Sequence, residues 1–154
     1  MNCVIRPALP ADAAPLLDLI RQHATFEGGA ARVSARELGQ LLSLRPAPIH
    51  LIVAEGEAGL MGYAALTFDY ALWSGGPYAH LDCLFVRSAA RGGGIGRRLL
   101  DEVCAMARRA GVQRIEWQTP AWNTDAIRFY EREGGVGHQK VRFCLGVETD
   151  ALHA

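Results

Sequence analysis

The chain lacks an excess of charge of either sign. Its 154 residues carry 16 basic and 16 acidic side chains, a formal net charge of zero. Nucleic-acid and membrane-surface binding both draw on a basic excess, so neither partner is expected. Paired cysteines are missing as well. Cys3, Cys83, Cys104 and Cys144 stand far apart with no C-x-x-C spacing, which excludes zinc-ribbon and thioredoxin-like motifs, and no metal is expected. No stretch reaches the ~18 apolar residues of a membrane span. The N-terminal run through Leu17 has no apolar segment after a basic region, so no signal peptide is read. Reduced cysteines packed as small hydrophobes then predict a cytoplasmic protein. Internal repeats and low-complexity linkers are also absent.

What remains is enough for a core. Half of the residues are hydrophobic and 21% are charged, which argues against long disordered stretches. The length suits one domain over residues 1–154, since a domain commonly holds about 100–200 residues.

Apolar spacing predicts the elements in order. Val4–Arg6 is extended and ends at Pro7. Asp12 is a plausible N-cap for an amphipathic helix with Ala13, Leu16, Leu17 and Ile20 on one face, broken at Gly28-Gly29. Ser34 with Glu37 forms a capping box for a second helix through Leu42. Ile49–Glu55 and Leu60–Phe68 read as a hairpin about Gly56–Gly59, and Asp69–Pro77 as a turn-rich loop. Tyr78–Val86 is the most strand-like run. A strong helix follows, with Ile95, Leu99, Val103, Met106 and Ala110 as its buried stripe, stopped by Gly111. Arg114–Thr119 is a strand, Asn123 caps a further helix, and Val141–Val147 is the last strand. The order β-α-α-β-β-β-α-β-α-β predicts an α/β fold with a mixed sheet and helices on both faces.

The segment Arg91-Gly92-Gly93-Gly94-Ile95-Gly96 lies between the strand-like run and a helix start. Its glycines allow conformations that a Cβ blocks and let a ligand approach the main chain. The first amides of the helix have no internal partner and carry partial positive charge, so they suit an anion. Arg91 adds a full charge and a forked donor. A P-loop is excluded because no Lys-Ser or Lys-Thr follows. The spacing is not G-x-G-x-x-G, which excludes a dinucleotide fingerprint. A pyrophosphate cradle is the expectation, against the alternative of a loop that only caps its helix.

These residues resemble the GNAT superfamily of N-acetyltransferases, whose pyrophosphate loop reads Arg/Gln-x-x-Gly-x-Gly/Ala and is matched by Arg91, Gly94 and Gly96. The resemblance covers nearly the whole chain. It implies a mostly antiparallel mixed sheet and acetyl-CoA as co-substrate. It further implies pantetheine contacts along Leu84, Phe85 and Val86, and pyrophosphate held by the amides of Arg91–Gly96 with Arg97 close by. Asn123 and Tyr130 match the downstream asparagine and tyrosine of the family. A nearer likeness is to the diamine (spermidine/spermine-type) and thialysine acetyltransferases, through Ala24–Glu27, Phe68–Gly75, Leu84–Val86, Arg91–Gly96 and Trp122–Tyr130. It implies a homodimer. The departure is at His80-Leu81-Asp82-Cys83, where that branch usually has Tyr-Leu-Glu-Asp.

On the acceptor side, a free alkyl ammonium titrates near ~10.4 and must lose a proton before attack. Strand alternation predicts His80 and Asp82 on one face. Asp82 is the first candidate for base or amine anchor and His80 the second. Tyr130, seven positions after Asn123 and so on its face of a helix, is the candidate proton donor to the departing thiolate. Glu27, Asp69 and Asp82 are candidate carboxylates for a cationic small-molecule amine, with Phe26, Tyr70, Trp73 and Trp122 as aromatic faces. Cys83 is expected to alternate away from Asp82 and to be core. The favoured reading is direct transfer in a ternary complex to a di- or polyamine, thialysine or lysine-like amine. The alternatives are acetylation of a peptide or protein amine, and a non-catalytic module that binds acetyl-CoA and regulates.

Overall fold

The β-branched and leucine-rich runs of the chain pair into one five-stranded sheet, seen in a computed structural model that describes residues 2–148. The strands are β1 (Cys3–Pro7), β2 (His50–Gly56), β3 (Gly59–Ala71), β4 (Gly76–Val86) and β5 (Ile115–Glu116). They lie in the order β1-β2-β3-β4-β5. The first three pairings are antiparallel and β4–β5 is parallel, so the expected mixed, mostly antiparallel sheet is present. The helices are α1 (Ala13–Phe26), α2 (Ala35–Ser43), α3 (Ile95–Arg109) and α4 (Thr124–Arg132).

Chain contacts group into two compact units, one through Pro120 and one from Ala121 onward. In the first, Leu16, Leu17 and Leu19 of α1 and Leu38 and Leu42 of α2 pack with Leu51, Val53, Tyr63, Ala65 and Phe85 of the sheet. Helix α3 buries Ile95, Leu99, Leu100, Val103 and Ala107. Its stripe therefore runs through Ala107 where the periodicity pointed to Met106 and Ala110. Each fully buried Leu, Ile or Val contributes roughly 1.5–3 kcal/mol, so these stripes fix the helices to the sheet.

The capping box of Ser34 with Glu37 forms as expected. Asp12 does not cap α1 with its side chain. Its carboxylate instead accepts two bonds from Arg6, at 2.7 and 2.9 Å, and one from the Leu9 amide at 2.7 Å. A buried charge needs a partner of opposite sign more than a helix needs a cap, and Arg6 on β1 supplies it. The expected loop 69–77 is shorter than the turn residues suggest. Strands β3 and β4 stay paired out to Ala71 and Gly76, leaving a tight tip with Gly75 at φ 68°. Strand β5 is two residues long, where Arg114–Thr119 was expected. The last strand, expected at Val141–Val147, is not formed: residues 135–146 make no regular hydrogen-bonded structure. The alternating pattern is there, but a strand exists only where a neighbour completes its ladder.

Candidate active site

Strand β4 is paired with β3 as far as Val86. On its other side it pairs with β5 only at Ala79 and His80. From Leu81 to Val86, the stretch that carries Leu84, Phe85 and Val86, that edge has no β5 partner. Close approach of β3 opposite this stretch requires a glycine. A Cβ on Gly62 would lie 2.7 Å from the Phe85 carbonyl oxygen and 3.2 Å from Leu99.

The strand leads through a single 3-10 turn, Ser88–Ala90, into the glycine loop and α3. Gly92 and Gly94 adopt φ of 83° and 77°, a left-handed geometry that favours glycine. No side chain caps the N-terminus of α3, and a Cβ on either glycine would meet no atom within 4 Å. The first amides of α3 thus border open space, which fits an anion cradle. Arg91 is tethered beside it. Its Nε donates to the Val86 carbonyl at 2.8 Å, and its guanidinium lies 5.1 Å from the ring centre of Phe26 and 5.4 Å from that of Phe85. Arg97 projects from the first turn of α3, 4.0 Å from Asp101.

A polar cluster gathers where the end of α1 meets β3 and β4. His23 stacks on Phe85 with ring centres 5.0 Å apart. Its Nδ1 is 2.8 Å from the Tyr63 hydroxyl, and its Nε2 is 3.5 Å from Glu27. Burial pushes the Tyr63 phenol upward, so it keeps its proton. Burial lowers the His23 pKa, with Glu27 opposing the shift, so the ring is neutral at pH 7. The Cys83 thiol lies 3.6 Å from an Asp82 carboxylate oxygen, and burial followed by the Asp82 charge pushes it up to about 12.

Cys83 therefore does not alternate away from Asp82. The ladder shifts between Ala65 and Leu66: Cys83 faces Ala65 and Leu81 faces Leu66, leaving Asp82 without a partner. An extra residue in one strand breaks the period of two. Cys83 still packs against the core, as expected. His80 pairs with Thr67, whose hydroxyl is 3.5 Å from its Nδ1.

Glu27, Phe26, Asp82 and Arg91 are thus drawn into one neighbourhood, and both carboxylates raise the Tyr63 pKa. Tyr70 and Trp73 are not part of it. They line a groove at the far end of the β3–β4 hairpin with Tyr78, Arg114 and Glu116. That is seven residues along β4 from Leu84, about 23 Å at ~3.3 Å per residue. Trp73 is fully exposed. The second unit carries Trp122, Asn123 and Tyr130. Asn123 caps α4 by accepting from the Ala126 amide at 3.3 Å, and the half-buried Tyr130 ring lies 5.2 Å from Phe129. The sequence reading missed His23, Gly62 and Tyr63. His23 and Glu27 share a helix face at i,i+4, a legible signal. The roles of Gly62 and Tyr63 depend on register with Phe85 and Val86, which one strand does not disclose. Among the described residues there is no cluster of three or more His, Cys, Asp and Glu able to hold a metal, and no helix long and apolar enough to cross a membrane.

Comparison with known proteins agrees with this geometry. The model of the acetyltransferase (GNAT) family matches residues 16–135. The chain is similar to an IAA acetyltransferase of Azospirillum brasilense, 30% identical over 119 residues covering 77% of this chain and 75% of the relative. It is similar to a thialysine N-epsilon-acetyltransferase of Caenorhabditis elegans, 28% identical over 84% of this chain and 81% of the other. Among solved structures, it shares its fold with an aminoglycoside acetyltransferase from an uncultured soil metagenomic sample. That match has a TM-score of 0.78 at 21% identity, covering 95% of this chain and 97% of that one.

Proposed function

The chain belongs to the GNAT family of acyl-CoA-dependent N-acetyltransferases, and from that premise we propose that it acetylates a primary amine of a small cationic molecule. The acceptor class is a di- or polyamine, thialysine or another lysine-like amine. The observation that carries this reading is the pair of carboxylates, Glu27 and Asp82, beside the edge of β4 that lacks a β5 partner, at the mouth of the glycine loop. Two negative groups against a half-buried, neutral histidine favour a ligand bearing positive charge. Relatives named for thialysine and for L-ornithine acetylation support an amine of this type.

Acetyl-CoA supplies the activated acetyl group. The edge of β4 from Leu84 to Val86, without a β5 partner, is suited to hydrogen-bond its pantetheine arm. The amides from Arg91 through Gly96, with Arg97 near, are suited to its pyrophosphate. An edge amide near Leu84 polarises the reacting carbonyl in this reading. Asp82 holds the acceptor ammonium and takes its proton, directly or through water, with His80 as the second candidate. Tyr130 donates a proton to the leaving sulfur, and Asn123 orients the same arm while capping α4. We assign this activity to a single catalytic domain working as a homodimer in the cytoplasm. The test is release of free thiol from acetyl-CoA across a panel of amines. Turnover with diamines or thialysine above that with monoamines and peptides is expected. Tight cofactor binding with no thiol release on any amine would sink the assignment and leave a regulatory binding module.

A further inference from the structure

The imidazole of His23 is gripped by two aromatic rings and faces a carboxylate. Phe85 stacks on it with ring centres 5.0 Å apart and planes 17° from parallel. Tyr63 meets it edge-on at 67°, with its hydroxyl 2.8 Å from Nδ1. These contacts fix the plane of the ring, and Nε2 is left toward Glu27, 3.5 Å away. The His23 side chain is 15% exposed and that of Glu27 38%. The ring therefore sits behind the carboxylate, and the carboxylate borders solvent. The other charged groups that act on the ring are Asp82 from β4 and Arg91 from the turn before α3. The Cys83 thiol, also from β4, acts on the Tyr63 hydroxyl.

We infer that His23 is a positioning residue: its neutral ring aims Glu27 at the second ammonium of a diamine held at Asp82, and a proton on the ring withdraws that carboxylate. This rests on the reading in which Glu27 and Asp82 receive a cationic amine. A neutral imidazole carries one N–H and no charge, so in either tautomer Glu27 keeps its full negative charge for the ligand. A ring that has taken one proton from solvent carries a donor on both nitrogens. Nδ1–H then donates to the Tyr63 hydroxyl and Nε2–H to Glu27, which is tied up in an ion pair. The new positive charge also repels the ammonium. By linkage, the bound ammonium and the ring proton disfavour each other equally. Burial holds the ring below its ordinary 6.5, with Glu27 and Asp82 opposing the shift and Arg91 adding to it. The exchange therefore falls in mildly acid solution. Diamine affinity is full while the ring is neutral and declines as pH drops through the ring's pKa.

Steady-state kinetics with putrescine and butylamine test the inference. From about pH 8 to about pH 5.5, KM for putrescine should rise about fivefold or more beyond any rise for butylamine. His23→Leu keeps an apolar side chain against Phe85. It should raise KM for putrescine more than that for butylamine at the upper pH, and remove the step in the profile. His23→Gln, whose amide can bridge Tyr63 and Glu27 without titrating, should recover most of that KM and still lack the step. A second readout needs no turnover. By NMR, saturating putrescine should lower the titration midpoint of the wild-type His23 ring, and lower it less in Glu27→Gln. This measurement decides the matter if His23→Leu does not fold. Turnover of putrescine with the same KM and pH profile in wild type and His23→Leu overturns the inference and leaves the functional reading standing. A ring midpoint indifferent to putrescine overturns it as well. Failure of the functional reading is seen separately, as thiol release on no amine of the panel.

Discussion

Asp82 and Cys83 are chain neighbours whose side chains lie on one side of β4, with thiol and carboxylate 3.6 Å apart. Normal alternation would set them on opposite faces; the unpaired Asp82 at the ladder shift removes that alternation. Burial and the adjoining negative charge hold the thiol protonated, its pKa up to about 12. A thiolate is the nucleophilic form, so a thiol held protonated is poorly suited to accept the acetyl group. Cys83→Ala should retain turnover and lower stability by about 1 kcal/mol. Mass spectrometry after incubation with acetyl-CoA alone should find Cys83 unmodified; an acetyl group there would refute direct transfer.

Asp82 itself is open to solvent beside that thiol. If it takes the amine proton, Asp82→Asn should lower kcat by roughly 10²–10⁴. If it only anchors the ammonium, KM for the amine should rise with kcat little changed. Steady-state kinetics with Asp82→Asn and His80→Gln separate the two, and unchanged kinetics in both variants would remove this pair from the site.

Tyr130→Phe tests the proposed proton donor. The change keeps the ring against Phe129 and deletes only the hydroxyl. Turnover should fall by about 10²-fold or more while acetyl-CoA affinity, read by calorimetry, stays near that of the wild type. Full turnover would assign the proton to another group.

What the sequence disclosed follows the range of each signal. The capping box at Ser34, the glycine loop and the α3 stripe are local patterns, readable because their partners lie within one or two turns. The Asp12 carboxylate was misassigned because its partner, Arg6, sits on β1 and not on the helix. The bulge at Asp82 is set by register between β3 and β4, and the contact of Tyr63 with His23 by a helix meeting a strand 40 residues away. No periodicity within one strand encodes them. The run 141–147 carries the alternation of a strand, yet residues 135–146 form no regular hydrogen-bonded structure.

Gly62 is the clearest of these register-dependent positions. A methyl there would meet the Phe85 carbonyl oxygen at 2.7 Å and Val86 at 3.3 Å. Backbone cannot yield as a flexible side chain does, so Gly62→Ala should push β3 from β4 at the Leu84–Val86 edge. The cost expected is about 1–3 kcal/mol. Affinity for acetyl-CoA should fall together with the melting temperature. Gly59→Ala, whose Cβ would meet nothing within 4 Å, perturbs a distant turn and should leave cofactor affinity intact. Equal loss in both variants would show the effect to be general.

Acid should unfold the protein in two stages, because His23 on one side and the hydrogen-bonded carboxylates Asp12, Glu37 and Glu55 on the other are held below their ordinary pKa for different reasons. His23 is lowered from 6.5 chiefly by burial. The unfolded chain therefore binds a proton near that value while the folded chain does not, and stability falls as pH drops below it. Asp12 is lowered from 3.8 chiefly by its hydrogen bonds to Arg6. Its contribution is complete above that value and disappears as pH falls through the lower, folded pKa. Melting temperatures between pH 8 and 3 should thus decline first below about 6.5 and again below about 4. His23→Gln should flatten the upper limb alone. Asp12→Asn should make the lower limb shallower and, by leaving Arg6 with Glu55 as its remaining ion-pair partner, cost less at neutral pH than the roughly 3–5 kcal/mol of a fully buried pair. Solvent at Arg6, whose side chain is 23% exposed, reduces that figure. A profile unaltered by either substitution would mean that neither group is linked to folding.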